Sequence, residues 1–541
     1  MGKLLKKGLA LTLVLVMVIS GGTFAFAQEK EDVVKDSLLM TIDELKAADY
    51  PEAPAQKPAV MLNGEYVAFT DANPANISGR VMVPFRAILE AMGAVVDYDK
   101  ATKEISAVLG DKEISFYAGK PDINIVENGV ESKITMDVVP FIDAYSQRTY
   151  VSTRFVAEAF GLSVGWDSDD KTVIIIDFKS MIPEIADKFE VLGMLFDTED
   201  FDWEKNYKTE GFAKLGLGIS DTIAQQLTGD LTKTGGEISF DMDIAGIQKG
   251  MTADVTVDME ADLSKLYEII DVAGTPEEAY FEQLMTGLDI DVKMDDEAIY
   301  IAMPFLDYVM SEEMTLPEGD KVWYKIPLSF LYETYDEMGV DFEGLLNGVT
   351  EMTSLEDYLY YYVGMMEDLL STETYLDTCA VVAVLEECMG DDAFKKSGNT
   401  YTLSMDNAWL AEKIALFGSE SETELLDEWN TDGISFDIDL IIKATSAGKL
   451  SNYSLNGSVD LSALIGTPGS VFIIKSSGNN YKADAECVIA IPELFTVSVS
   501  TSESLTQTSK APDVKIPSGD GVVDLVKFME ELEAQMPVDE M

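Results

Sequence analysis

Four short patterns in the sequence have the residue types and spacing of chemical groups. Gly161-Leu162-Ser163-Val164-Gly165 has the spacing of a nucleophile elbow, in which a serine on a tight strand-to-helix turn attacks an acyl carbon. Ser446-Ala447-Gly448-Lys449 has the Ser/Lys spacing of a hydroxyl nucleophile beside an amine base, although it falls in a stretch that reads as a hairpin turn. The clusters Asp167-Ser168-Asp169-Asp170 and Asp295-Asp296-Glu297 offer the hard oxygen ligands that calcium takes. The composition decides against most of this chemistry. The chain contains no histidine, so a serine triad has no base with a pKa near 7. Zinc sites of the His/Cys kind fail on ligand count, with three cysteines and no histidine. Neither acidic cluster has the glycine and final glutamate of an EF-hand loop, so both read as solvated turns. Two carboxylates could still hydrolyse a glycoside, but among 98 acidic residues spacing selects no pair. The sequence assigns no catalytic, cofactor or metal residues.

The elements around the first pattern explain it without catalysis. Arg80 to Ile105 aligns without gaps onto Arg148 to Val173, at an offset of 68 residues. Nine positions match: Arg80/Arg148, Val83/Val151, Arg86/Arg154, Glu90/Glu158, Ala91/Ala159, Gly93/Gly161, Val96/Val164, Asp99/Asp167 and Lys103/Lys171. Each copy predicts a short strand and then a helix. Pro84 suits the first helical turn, where a missing N–H costs nothing. Phe85, Ile88, Leu89 and Met92 fall on one helical face. Gly93 and Gly161 stand where a helix end takes a left-handed residue. A strand through Tyr98 or Trp166, an aspartate turn at Asp99 or Asp167, and a third strand follow. Asn63-Gly64 and Asn128-Gly129 read as tight hairpin turns ahead of each copy. The duplicated units are expected over 59–110 and 123–178.

The segments VPFRAILEAMGAVVDYDKATKEI and YVSTRFVAEAFGLSVGWDSDDKTVIII resemble the copper amine oxidase N-terminal domain, also called the stalk domain. The resemblance implies a small α+β accessory module over 58–178, common in exported proteins and without catalytic residues. Its marker positions here are Pro84, Arg86, Gly93, Asp99, Arg154, Gly161, Trp166 and Asp167. Ser152 departs from the family's usual proline, which weakens the expected start of the second helix. Copper amine oxidases hold copper through histidines and build a quinone from a tyrosine in an Asn-Tyr-Asp/Glu context. This chain has no histidine, and its three Asn-Tyr pairs are followed by Lys208, Ser454 and Lys482. The resemblance therefore carries no oxidase activity and no cofactor.

The net charge is −60, from 98 acidic and 38 basic residues. Such a surface repels phosphate backbones and anionic membranes, so no nucleic-acid partner is expected. Residues 1–27 read as a secretory leader: Lys3, Lys6 and Lys7, an apolar run from Gly8 to Ile19, and a cleavage site at Ala25-Phe26-Ala27. Loss of those three lysines deepens the charge to −63. No later stretch is apolar enough for a transmembrane helix. The expectation is a secreted or wall-associated protein. Cys379 and Cys388 could pair across a helix end or stay as buried thiols, and Cys487 reads as a small buried apolar residue.

Residues 28–57 read as a linker with a short helix, 179–234 as a helical connector, and 516–541 as a helical tail. From 235 to 515 strict alternation, as in Ile238, Phe240, Met242 and Ile244, argues for antiparallel sheet with one polar face. Helices are expected to interrupt it near 342–430, including a cluster of Tyr358, Tyr360, Tyr361 and Tyr362. ISFDIDL at 434–440 echoes ISFDMDI at 238–244, and Asp460-Leu461-Ser462 echoes Asp262-Leu263-Ser264, which suggests a second duplication. AIYIAMPF, followed by KVWYKIP, gives this half a low-specificity similarity to lipoprotein-carrier-like half-barrels. The fold class expected is α+β: a small duplicated stalk domain followed by a larger antiparallel-sheet domain with a helical insertion. The functional expectation is an exported binding or scaffold protein for a lipid, a peptide or a wall component. The alternatives are a self-assembling surface protein and a carboxylate-dependent wall glycan hydrolase.

Overall fold

A computed structural model describes residues 38–40, 44, 52, 54–197, 202–270, 288–313, 315–337, 353–365, 370–417, 435–516 and 520–528. The expected leader, most of the 28–57 linker and the tail beyond 528 lie outside them. The protein is α+β. Its described residues divide into two compact units, each discontinuous in sequence. One takes the chain up to Gly193 together with Leu355–Asp391; the other takes Met194–Ser354 and everything from Asp392.

The first unit is built on the duplication. Strand Arg80–Pro84 leads into helix Phe85–Ala91, and strand Thr149–Ser152 into helix Thr153–Ala159. The second helix is as long as the first, so serine in place of proline does not shorten it. Its first backbone N–H groups need no helical partner, whichever residue stands there. The two strands pair antiparallel, with Val83 opposite Val151 and with Tyr150 opposite Pro84 and Ser152 opposite Met82. Val83 and Val151 are repeat equivalents and the two flanking pairs interchange under the repeat, so a local twofold axis passes between Val83 and Val151, both fully buried. The predicted helical stripe is the core: Ile88 and Leu89 are sealed from solvent and cluster with Phe116, Val156 and Ile175. Truncating a residue so placed costs about 2–5 kcal/mol.

The hairpins are exchanged between the copies. Strand Ala59–Leu62, at the start of the first copy, pairs in parallel with Thr172–Ile176 of the second. In the first copy Glu104–Leu109 pairs with an additional strand, Lys112–Tyr117, which then pairs with Asp122–Glu127. The Asn-Gly turns form as predicted. Asn63 and Gly64 have φ of 46° and 81°, and Asn128 and Gly129 have 52° and 79°. Positive φ at both central residues matches the twist of a two-residue hairpin.

Two helices from far downstream complete this unit. Helix Leu355–Met365 packs on Phe178–Asp187, and the Tyr360 hydroxyl donates to the Lys179 carbonyl at 2.8 Å. Helix Thr374–Met389 is anchored at both ends. The Tyr375 hydroxyl donates to the Leu38 carbonyl at 2.7 Å, and Lys188 pairs with Glu386 at 2.6 Å. Thus the first part of the interruption expected at 342–430 folds with the N-terminal unit.

The second unit contains a 14-stranded sheet. It consists of two meanders laid side by side. One runs from Asn206–Ile219 through Gly236–Lys249 and Thr252–Asp262 to Val322–Pro327. The other runs from Thr400–Asp406 through Ser435–Ala444 and Leu450–Asp460 to Phe495–Thr508. Hairpin Gly236–Asp262 is followed by helix Ser264–Ile270, and hairpin Ser435–Asp460 by helix Ser462–Ile465. The sequence echo between 238–244 and 434–440 therefore falls on corresponding hairpins. The meanders join where Asn206–Ile219 pairs along its whole length with Phe495–Thr508.

Three segments differ from expectation. The helical connector contains the 14-residue strand Asn206–Ile219, because Tyr207, Thr209, Ala213, Leu215, Leu217 and Ile219 alternate with residues that, apart from Phe212, are polar or glycine. The second part of the expected insertion contains strands Lys395–Ser397 and Thr400–Asp406, where Tyr401, Leu403 and Met405 alternate. The tail begins as strand Gly521–Asp524, which adds in parallel to Val322–Pro327 and buries Val523 beside Met310 and Tyr324. Helical geometry starts only after Asp524, whose carboxylate accepts from Lys527 N at 3.2 Å.

Candidate functional site

The marker positions of the duplication act first on local geometry. Gly93 and Gly161 have φ of 85° and 80°. Ala94 N donates to Leu89 O, and Gly93 N to Glu90 O; Leu162 N and Gly161 N repeat this onto Ala157 O and Glu158 O. Both helices thus end in the same glycine cap. Arg86 pairs with Glu90 at 3.1 Å, and Arg154 with Glu158 at 3.4 Å, each one helical turn apart on an exposed face. Asp99 accepts from Ala101 N and Thr102 N, and these donors hold its carboxyl below the usual range. Asp167 accepts from Asp169 N and Asp170 N, both at 3.0 Å. Burial pushes the Asp167 carboxyl up, but the N–H donors of Asp170, Thr372 and Asp169 outweigh this and hold it low. Lys103 and Lys171 occupy the left-handed residue of each turn, with φ of 63° and 51°. Pro84 is buried at the head of the first helix, and Trp166 stands partly exposed on strand Ser163–Asp167.

The patterns that resembled chemistry are structural here. Ser163 follows a helix and opens a strand, the reverse of the strand-to-helix order an elbow needs. Ser446 and Lys449 lie in the turn between Ser435–Ala444 and Leu450–Asp460, closed by Thr445 N donating to Lys449 O at 2.7 Å. Asp295 is spent on the N–H groups of Glu297 and Ala298, both at 2.9 Å. Among the described residues no group of three or more Cys, Asp or Glu side chains is placed to hold a metal ion. Cys379 and Cys388 are buried on one helix, and neither is in a disulfide. Nine residues of helix separate them by about 13.5 Å, beyond the reach of a disulfide. Tyr360 of the tyrosine cluster is used in packing.

The large sheet presents a different kind of surface. Nine strands place Met405, Ile438, Gly457, Ile474, Cys487, Val499, Leu215, Phe240 and Ala261 directly opposite one another in one row. A second row on that face holds Phe436, Val459, Phe472, Ile489, Val497, Leu217 and Ile238. One position along each strand the face reverses. There the partners are Ser404, Asp439, Asn456, Lys475, Glu486, Ser500, Lys214, Asp241 and Glu260, tied by ion pairs such as Lys214–Asp241 at 3.0 Å.

The apolar face is covered unevenly. Away from the seam Leu403, Leu440, Leu455 and Ile474 are buried, as is Ile238 directly opposite Leu217. At the seam between the meanders, Leu215, Leu217, Phe495 and Val499 remain 37–39% exposed. The sequence reading missed this seam because half of it lies in the segment taken for a helical connector. The signal was present in Leu215-Gly216-Leu217-Gly218-Ile219, where small residues alternate with large aliphatic ones.

Two structural classes therefore meet in one chain: a duplicated α+β accessory module and a wide antiparallel sheet with one apolar face. Residues 61–175 match the family model of the copper amine oxidase N-terminal domain. This is the non-catalytic N-terminal part of that family. No curated protein and no solved structure matches the chain. No helix among the described residues is long and apolar enough to cross a membrane.

Proposed function

We propose that this is an exported, non-enzymatic binding protein whose sheet unit holds an acyl chain against the seam of its two meanders. The observation that carries this reading is the half-open strip of Leu215, Leu217, Phe495 and Val499 within rows that are apolar from edge to edge. Burying apolar surface yields about 25 cal/mol per Å², so a strip left open at the centre of a sheet favours an apolar occupant. The two apolar rows carry no charged or amide side chain, which suits an acyl chain better than an extended peptide. The stalk module would then serve as an accessory part. Export rests on the leader pattern at residues 1–27.

The test is lipid extraction and mass spectrometry of protein purified from a secreting host, with displacement of a fluorescent fatty acid. Leu215→Asp and Leu217→Asp should each weaken probe binding by about tenfold or more, since a buried unpaired carboxylate costs several kcal/mol. A wild-type chain that carries no lipid and binds no probe would refute the reading. Concentration-dependent assembly in that result would favour a self-associating surface protein instead.

A further inference from the structure

The two halves of the duplicated domain have diverged at one place, and the divergence opens a cleft. In the first copy Phe85 opens the helix and is buried, its ring 6.2 Å from that of Tyr98. The Arg86 guanidinium lies 5.6 Å from the Phe85 ring. That position is filled. In the second copy the equivalents of Pro84, Phe85 and Tyr98 are Ser152, Thr153 and Trp166. Thr153 cannot fill the space of a phenyl ring, and its hydroxyl donates to the Val81 carbonyl at 2.9 Å.

A cleft of about 260 Å³ lies here, lined by Arg80, Ser152, Thr153, Arg154, Val164 and Trp166 among others. That is below the roughly 300–1,000 Å³ of drug-sized ligand sites, and suits a single sugar unit or amino-acid residue. Ser152 is 1% exposed, and its hydroxyl has no hydrogen-bond partner. The Arg80 Nε–H is also buried and unpartnered, although the outer part of that guanidinium pairs with Asp137 at 2.7 Å. Buried polar groups of this kind are normally satisfied, so each one left over asks for a reason. Trp166 shows 43% of its surface beside them.

The distribution of arginine points the same way. The chain has four arginines, Arg80, Arg86, Arg148 and Arg154, all at duplicated positions of this domain. Every other basic residue is lysine. Two of the four line the cleft. A guanidinium keeps its charge and offers a planar fork that fits a carboxylate. With a net charge of −60 the protein repels a polyanion, but a single carboxylate on an otherwise neutral chain meets two guanidinium groups here, each with donors beyond those it gives to Asp137 or Glu158.

We propose that this cleft binds a carboxylate-bearing sugar unit. Its ring lies against Trp166, its carboxylate is taken by the guanidinium groups of Arg80 and Arg154, and the Ser152 hydroxyl turns to a ring hydroxyl. The sugar is favoured over a peptide carboxylate because the cleft pairs its cations with a broad aromatic side chain rather than with a free strand edge. This site lies in the stalk unit and stands independently of lipid binding by the sheet.

The experiment is saturation-transfer NMR on the full chain with glucuronic acid, with glucose, and with N-acetyl-alanyl-alanine, which carries a free carboxylate. Glucuronic acid should bind, and glucose and the dipeptide more weakly. Trp166→Ala, which removes the aromatic face, and Arg154→Ala, which removes one charge-assisted contact, alter partly exposed side chains and should each weaken glucuronic acid about tenfold. Arg86→Ala, at the equivalent position of the filled half, should leave binding unchanged. Thr153→Phe rebuilds the filled arrangement and should abolish binding in a chain whose circular dichroism is unaltered. The proposal is overturned if wild type does not bind glucuronic acid, or if Trp166→Ala binds it as well as wild type. It is equally overturned if glucose binds as tightly or if the dipeptide is preferred.

Discussion

Substitution of Gly64 tests whether helix Thr374–Met389 is part of the stalk unit in solution. Gly64 is the second central residue of the first Asn-Gly turn, with φ of 81°. A Cβ added there would lie 2.5 Å from Cδ1 of Tyr375, more than 300 residues away in sequence. Two costs combine in Gly64→Ala. Left-handed backbone in a residue with a Cβ costs about 1–2 kcal/mol. Overpacking against the ring adds about 1–3 kcal/mol. Tyr375→Ala alone removes a packed aromatic ring, at about 3–5 kcal/mol, along with the bond from its hydroxyl to the Leu38 carbonyl. In the double variant the backbone strain persists but the clash is gone. The two changes should therefore fall short of additive by about 1–3 kcal/mol, where independent sites add to within about 0.5 kcal/mol. The assay is urea unfolding of the full chain, read by pulsed amide exchange in peptides covering 59–66 and 370–391. A local readout is needed because a protein of two units need not unfold in one step. Strict additivity, or protection of 59–66 untouched by Tyr375→Ala, would refute the packing argument.

Two further outcomes follow from the electrostatics and the thiols. Hydrogen bonds from Lys179 and then Lys112 hold the Glu127 carboxyl below its usual range, with both ammonium groups at 3.1 Å. A depressed carboxylate contributes stability above its unfolded pKa and loses it as pH falls through the folded value. The gap in urea midpoint between wild type and Glu127→Gln should thus be constant at neutral pH and shrink below about pH 4; a gap independent of pH down to 3 would sink this reading. Burial pushes the Cys379 and Cys487 thiols up. A thiol reagent should therefore find Cys379 and Cys388 protected in the native chain and three reactive thiols in urea. Two missing thiols in urea would indicate a disulfide.

Much of the architecture was legible along the chain because it depends on short-range period and turn chemistry. The duplicated strand, helix, glycine cap and aspartate turn could be read because each feature serves a backbone need within a few residues. Gly93 and Gly161 supply positive φ, and Asp99 and Asp167 cap their own turns. The Asn-Gly turns were legible for the same reason. The alternation of Ile238 to Ile244 marked an antiparallel strand with one apolar face. The absence of histidine removed the residue type through which copper amine oxidases hold copper.

Pairing over long distances was not legible, because a period-2 pattern says which face a residue takes and not which strand lies beside it. Only the fold exchanged the hairpin Ala59–Tyr66 onto the second copy, and only the fold returned Leu355–Asp391 to the N-terminal unit. The strand Asn206–Ile219 was hidden among acidic helices until Phe495–Thr508 paired with it and set Leu215 beside Val499. The cleft shows the same division. The sequence displayed Ser152 in place of proline and Trp166 in place of Tyr98, but as isolated differences between repeats. The tertiary structure made them neighbours, because the strands around Val83 and Val151 bring Arg80 across to Thr153 and Trp166. Local chemistry thus determined the elements; the non-local pairing of those elements decided which side chains share a surface.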